Sequence, residues 1–415
     1  MSTPSSGGLT PLHEAQALVL RSCHAFHPRT VPLGQAVGSV TSAPVTAQEH
    51  VPPFDNSAMD GFAVQAADTE AAPVALRVVG TLAAGAAPDV EVGPGEAVRI
   101  MTGAPMPPGA DAVVMVECTS PGEGDTVVVE EAVAAGQSVR RAGDDVRPGD
   151  VVVGEGEVVT PGVIGVLASL GLVRVPTRRA PVVGVLSTGD ELVDGGGVLG
   201  PGQIRDSNRP MLVALAGEAG CEVIDFGTVA DDLDAITGVI REATSACDVL
   251  VTSGGVSVGD FDLIREVLDR LGEMVWMQVA IKPAKPFAFG LVQGTPVFGL
   301  PGNPVSSMVS FELFARPALR RMIGHPDDRL HRPRVRAFAE HDILRRPDGK
   351  VHFVRLVATV GADGRHHVRS AGGQGSHQLS ALAAANALGV LPDGTGVVAG
   401  GELDVVLLSE EVAGP

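Results

Sequence analysis

Two carboxylates, Asp260 and Asp262, close a stretch in which a short apolar run, Val249 to Val251, passes into a glycine-rich turn. An apolar run without alternation predicts a strand covered on both faces of a parallel sheet. Gly254, Gly255 and Gly259 free the turn to point backbone N–H groups outward, and a following helix adds the positive end of its dipole. Such a turn suits phosphate, which the two aspartates would repel. Both features agree if a divalent cation, Mg²⁺, bridges carboxylate and phosphate oxygens. The competing reading makes the aspartates helix caps.

Further carboxylates follow predicted strands: Asp190 and Glu191 after Ser187-Thr188-Gly189, and Asp231-Asp232 after Val229-Ala230. Glu191, one of Asp231 and Asp232, and Asp262 are expected to gather on one rim. Lys282 and Lys285 are separated by Pro283 and Ala284, and proline fixes φ, so the spacing predicts two fixed positive charges suited to a doubly charged oxyanion. The run Pro301-Gly302-Asn303-Pro304-Val305-Ser306 reads as a second anion turn, with Asn303 as helix cap before Pro304.

The elements that must carry these residues alternate. Strands at Val182 to Leu186, Glu222 to Phe226 and Val249 to Val251 alternate with helices after Asn208, over Leu233 to Ala246 and up to Leu271. This predicts a parallel, doubly wound α/β sheet that binds ligands at the strands' carboxyl ends. A helix from Pro304 to about Ile323, restarted at Pro317, closes the unit. Thr10 and Pro11 open an N-terminal helix with an apolar face of Leu12, Ala15 and Val19, ending near His27. Gly162 to Leu172 reads as a helix that pairs with it.

Val-rich runs broken by Gly and Pro predict two all-β units. The expected division is 1–45 with 146–180 as an N-terminal helical and linker domain, 46–145 as an inserted β domain, 181–326 as the α/β domain and 327–415 as a barrel-like C-terminal β domain.

Composition sets bounds. A net charge of -19, no Tyr and the single Trp276 argue against nucleic acid as partner. Four scattered cysteines suggest neither a zinc site nor a disulfide framework, and His366, His367 and His377 lack metal-ligand spacing. With no membrane-length apolar run and no basic-then-apolar N-terminus, a cytoplasmic protein is expected.

Six motifs in order then give a resemblance over about residues 10 to 410: 53–63 (PFDNSAMDGFA), 99–105 (RIMTGAP), 187–192 (STGDEL), 252–259 (TSGGVSVG), the Lys282 turn and 299–306 (GLPGNPVS). The chain resembles the molybdopterin molybdenumtransferases, bacterial counterparts of the gephyrin E domain. The resemblance implies an elongated four-part subunit and a homodimer, in which the inserted β domain of one copy faces the cleft of the other. It implies insertion of molybdenum from molybdate into adenylylated molybdopterin, with phosphoanhydride cleavage, AMP release and help from Mg²⁺. By the same resemblance Asp60, Glu191, Asp231, Asp262 and Lys282 are catalytic, with Glu191 and Asp262 also on the metal. Thr102, Arg140, Asp145, Ser253, Gly254, Gly255, Ser257, Pro301 and Pro304 contact the pterin nucleotide, and Lys282, Lys285, Ser306, Arg355 and Ser376 hold molybdate. The chain departs from the pattern at Gln278, where a basic residue is common, and at Ala284, where glycine is common and alanine is expected to cost little. The alternatives are the adenylyltransferase of the same route, which resembles 181–326 alone, and a non-catalytic scaffold.

Overall fold

The computed structural model describes residues 8–256 and 263–409. The chain forms two compact units. One comprises 30–37 and 43–176, and the other comprises the N-terminal segment to Arg29, 38–42 and everything from Thr177 onward.

The first unit is built on a six-stranded sheet, in spatial order Ala112–Met115, Gly61–Val64, Glu96–Ile100, Val74–Leu82, Thr126–Val129 and Thr119–Pro121. Ala63 and Val64 of its second strand fall in different apolar clusters, as a pleated strand covered on both faces requires. The helix Pro161–Ser169 starts at Thr160, whose hydroxyl accepts from Val163 N–H. Its Leu167 packs with Ala36, Val45 and Val153.

In the second unit we number the elements β1 (Val182–Thr188), α1 (Asn208–Glu218), β2 (Glu222–Val229), α2 (Leu233–Ala246), β3 (Val249–Ser253), α3 (Leu263–Leu271), β4 (Gly272–Gln278), β5 (Pro286–Val292), β6 (Thr295–Leu300) and α4 (Pro304–Ser310). The sheet order is β2-β1-β3-β6-β5-β4. Val183, Val185, Val249 and Val251 point to α1 and α4, whereas Leu186 and Leu250 point to α2 and α3, so helices cover both faces. The sheet is doubly wound as expected, but only β2, β1, β3 and β6 are parallel. β5 runs antiparallel to both of its neighbours, β4 and β6. Gln293 and Gly294, at φ 52° and 86°, form the tight turn joining β5 to β6, too short for a crossover helix.

The N-terminal helix covers Leu12–Ser22 and stops short of His27 because Cys23 is extended. Thr10 does not cap it. Its N–H donates to Gln278 O at 2.7 Å and its carbonyl accepts from Ala280 N–H at 2.8 Å, so the segment joins the end of β4. Ala15 and Val19 of the helix pack with Phe311, Phe314 and Ala318. The long helix is interrupted as Pro317 predicts. α4 widens into a π turn over Phe311–Ala315 before a helix resumes at Arg316. Pro317 has no N–H for the Leu313 carbonyl, which instead accepts from Gln16 Nε2 at 3.1 Å.

The C-terminal region is a closed five-stranded barrel of β7 (Arg334–Ala339), β8 (Val351–Val360), β9 (His366–Ser370), β10 (Ala387–Leu391) and β11 (Glu402–Leu407). β8 pairs with β9 along its second half and with β10 along its first, which closes the ring through β7 and β11. Ile281 and Lys282 add a parallel pair beside Val351 and His352, tying the lysine turn to the barrel. Phe353, Leu388 and Val406 share one apolar cluster with Phe287 and Ala284. No helix among the described residues is long and apolar enough to cross a membrane.

Candidate active site

The carboxyl ends of β1, β2, β3 and β6 present the expected loops. Gly254 and Gly255 adopt φ 99° and 70°, and a Cβ on Gly254 would lie 3.1 Å from Thr188 O, so this turn requires glycine. Gly254 N–H is not available for phosphate, because it donates to Leu300 O at 3.1 Å and ties β3 to β6. Ser253 is buried at the end of β3, and Pro301 and Pro304 frame the turn after β6. Asn303 stands at the cap position of α4 without a side-chain cap bond, contrary to expectation.

Asp231 and Asp232 now part. Asp232 caps α2, its Oδ1 accepting from Ala235 N–H at 2.8 Å. Asp231 N–H donates to Asp190 Oδ1 at 3.0 Å, and burial raises the Asp231 carboxyl pKa, with Asp190 and Glu191 adding repulsion. The charges of Asp190 and Glu191 are thus felt by Asp231 at the ends of β1 and β2. Carboxylate oxygens are the donor type that Mg²⁺ takes, but among the described residues no three acidic, His or Cys side chains are grouped to hold a metal ion. Ser257, Asp260 and Asp262 lie outside the described residues.

A cavity of about 940 Å³ is lined by Lys282, Lys285, Ser306 and Ser376, which the sequence placed together, and by Lys350 and His352, which it did not. The lysine turn is held at both ends. Lys282 pairs with His352, and Lys285 O accepts from Val279 N–H at 2.7 Å. Between them Ala284 sits at φ 73°. Its Cβ costs about 1 kcal/mol in that left-handed region, so alanine is not the cheap replacement expected. His352 Nε2 is 3.1 Å from both Asp348 oxygens, and Lys350 Nζ is 3.1 Å from Oδ2. These contacts hold the Asp348 carboxyl at about 2 against the opposing effect of desolvation. Burial lowers the His352 pKa, and the Arg345 and Lys282 charges act in the same sense.

Arg355 is fully buried behind the cavity wall. It donates to Gly373 O at 2.6 Å and to Gly375 O at 3.1 Å, and burial lowers its pKa. Gln374 completes a reciprocal clamp: its Oε1 accepts from Arg355 N–H at 2.9 Å and its Nε2 donates to Arg355 O at 3.0 Å. Ser376 O in turn accepts from Val305 N–H at 3.2 Å, which brings Ser376 to the start of α4 beside Ser306. Gln374 escaped the sequence reading, although its flanking glycines marked a loop needing support.

The remaining expected residues belong to the first unit. Asp60 Oδ1 accepts from Thr102 N–H and Oγ1, both at 2.7 Å, and these bonds lower its pKa. Arg140 pairs with Asn56, and Asp145 N–H donates to Val51 O at 3.0 Å, so both flank the Asp55–Asp60 turn. Arg141 and Ala142 N–H hold Asp55 at 2.6 and 2.8 Å.

Comparison with known proteins agrees along the chain. Residues 10–171 match the MoeA N-terminal region (domain I and II), 184–321 the probable molybdopterin binding domain and 340–408 the MoeA C-terminal region (domain IV). Molybdopterin molybdenumtransferase 2 of Mycobacterium tuberculosis H37Rv is 41% identical, over 95% of this chain and 98% of its own. The molybdopterin molybdenumtransferases of Haemophilus influenzae and Bacillus subtilis are 40% and 37% identical, over 89% and 97% of this chain and 91% and 95% of theirs. The crystal structure of the molybdopterin biosynthesis moeA protein from Pyrococcus horikoshii superposes with a TM-score of 0.81 at 31% identity, covering 96% of this chain and all of that one. The chain belongs to the molybdopterin molybdenumtransferase family.

Proposed function

We propose that this enzyme of molybdenum cofactor biosynthesis transfers molybdenum from molybdate to adenylylated molybdopterin, breaking the phosphoanhydride and releasing AMP. The observation that carries this reading is the cavity that collects Lys282, Lys285, Ser306 and Ser376 beside the strand ends. Two ammonium groups and two hydroxyls match a doubly charged tetrahedral oxyanion, and their fixed backbone leaves little reorganisation on binding. Arg355 acts through the Gly373–Ser376 loop that it supports. The nucleotide lies over the turns after β3 and β6, against Ser253, Gly255, Pro301 and Pro304.

Glu191, Asp231 and Asp262 would hold Mg²⁺, which when bound neutralises charge on the phosphates. Without the metal contact, Asp231 would instead position water. Asp60, Thr102, Arg140 and Asp145 complete the site from a second copy in a homodimer, as the family resemblance implies. The four free cysteines, Cys23 and Cys247 buried among them, fit a reducing cytoplasm.

The test combines purified protein, adenylylated molybdopterin and Mg²⁺, with and without molybdate, and follows AMP and metal-loaded pterin. Molybdate-dependent AMP release that disappears in Lys282→Ala and Asp262→Ala is the expected result. Measurable pterin binding without release would favour a scaffold. Mixing inactive Asp60→Ala with inactive Lys282→Ala protein tests the dimer: activity returns only if the two residues serve one site from different copies.

A further inference from the structure

We infer that Asn208 is a positioning residue that sets the spacing of the two turns over which the nucleotide lies, an inference resting on the function proposed above. Asn208 opens α1 and is 8% exposed. Its Nδ2 donates to Ser253 Oγ at 2.8 Å and to Gly302 O at 2.6 Å. One amide nitrogen thus bridges the end of β3 to the turn after β6. These turns already touch, because a Cβ on Gly302 would lie 3.8 Å from Gly254 Cα.

The orientation of the amide is fixed by chemistry. The Gly302 carbonyl can only accept, so Nδ2 must face it, and Oδ1 is left buried without a hydrogen-bond donor among the described residues. The backbone of Asn208 is fixed too. Asp206 Oδ1 accepts from Asn208 N–H at 3.0 Å and from Arg209 N–H at 3.1 Å, while Arg209 Nε holds the other Asp206 oxygen at 3.2 Å. The amide therefore stands on a braced helix start, and the two turns take their separation from it. Asp cannot replace it, since a carboxylate offers no donor to Gly302 O.

The test titrates adenylylated molybdopterin into the full-length wild type, Asn208→Ala and Asn208→Asp without molybdate, then measures both KM values in the complete reaction. The dissociation constant and KM for the pterin nucleotide should rise about tenfold in both variants, the worth of one buried hydrogen bond. The KM for molybdate should stay unchanged and Tm should stay within about 3 °C of wild type. A merely structural role would lower Tm and active fraction while leaving both KM values alone, and that result overturns the inference. If those Asn208 variants do not fold, Asn208→Ser, whose shorter side chain cannot bridge both turns, is titrated instead, and unchanged nucleotide binding in it also overturns the inference. Because binding is read without turnover, a wild type that binds the nucleotide but releases no AMP would refute the proposed reaction and leave this result standing.

Discussion

The two halves of the site solve opposite electrostatic problems. At the ends of β1 and β2, Asp190, Glu191 and Asp231 repel one another, and burial makes the Asp231 charge harder still to carry. In the cavity around the lysine turn, Lys282 and Lys285 are set by main-chain bonds to the barrel and to Val279, and Asp348 pairs with Lys350 and His352. One half concentrates negative charge, whereas the other holds two lysines on a fixed turn. Under the function proposed above, a metal-bound phosphate on one side and an oxyanion on the other would relieve both.

The largest effect that would sharpen this contrast is loss of a fixed cation. Lys282→Ala should lower molybdate-dependent turnover by about 10³-fold while Tm holds, measured as AMP release at saturating pterin nucleotide. Asp231→Asn should cost about 10²-fold and should weaken the dependence on Mg²⁺ without changing molybdate affinity, read from magnesium titrations of the rate. A variant that instead lost molybdate would break the division. Gln374→Ala frees the loop under Ser376 and should raise the molybdate KM about tenfold, with the nucleotide KM unmoved.

The smallest expected effect concerns acid stability. Asp348 has a folded pKa of about 2 against an ordinary 3.8, so its contribution is present above pH 3.8 and lost as pH falls through about 2. Thermal melts of wild type and Asp348→Asn should differ at pH 7 and converge towards pH 2. A difference that grew on acidification would have the wrong sign.

Much of this was legible from local chemistry. Apolar runs ending in glycine turns marked β1, β3 and β6, and the Lys282 to Lys285 spacing marked a turn that lines the cavity. Pro317 announced the helix interruption, because a missing N–H acts at a known offset. What stayed hidden depends on distant partners. Nothing near Asp231 distinguishes it from Asp232; only the helix start and the proximity of Asp190 assign one to the cap and one to the rim. Arg355 reads as a surface or ligand arginine until the barrel buries it under the Gly373–Gly375 carbonyls. Gln16 bonding to Leu313 reaches across 297 positions and leaves no local signature.

The most direct measurement is a pair of equilibrium titrations, molybdate and adenylylated molybdopterin, on wild type, Lys282→Ala and Asp231→Asn. A divided site predicts that Lys282→Ala loses molybdate at least about tenfold and keeps the nucleotide, while Asp231→Asn keeps molybdate and loses the Mg²⁺-dependent part of nucleotide binding. Equal loss of both ligands in either variant would contradict it.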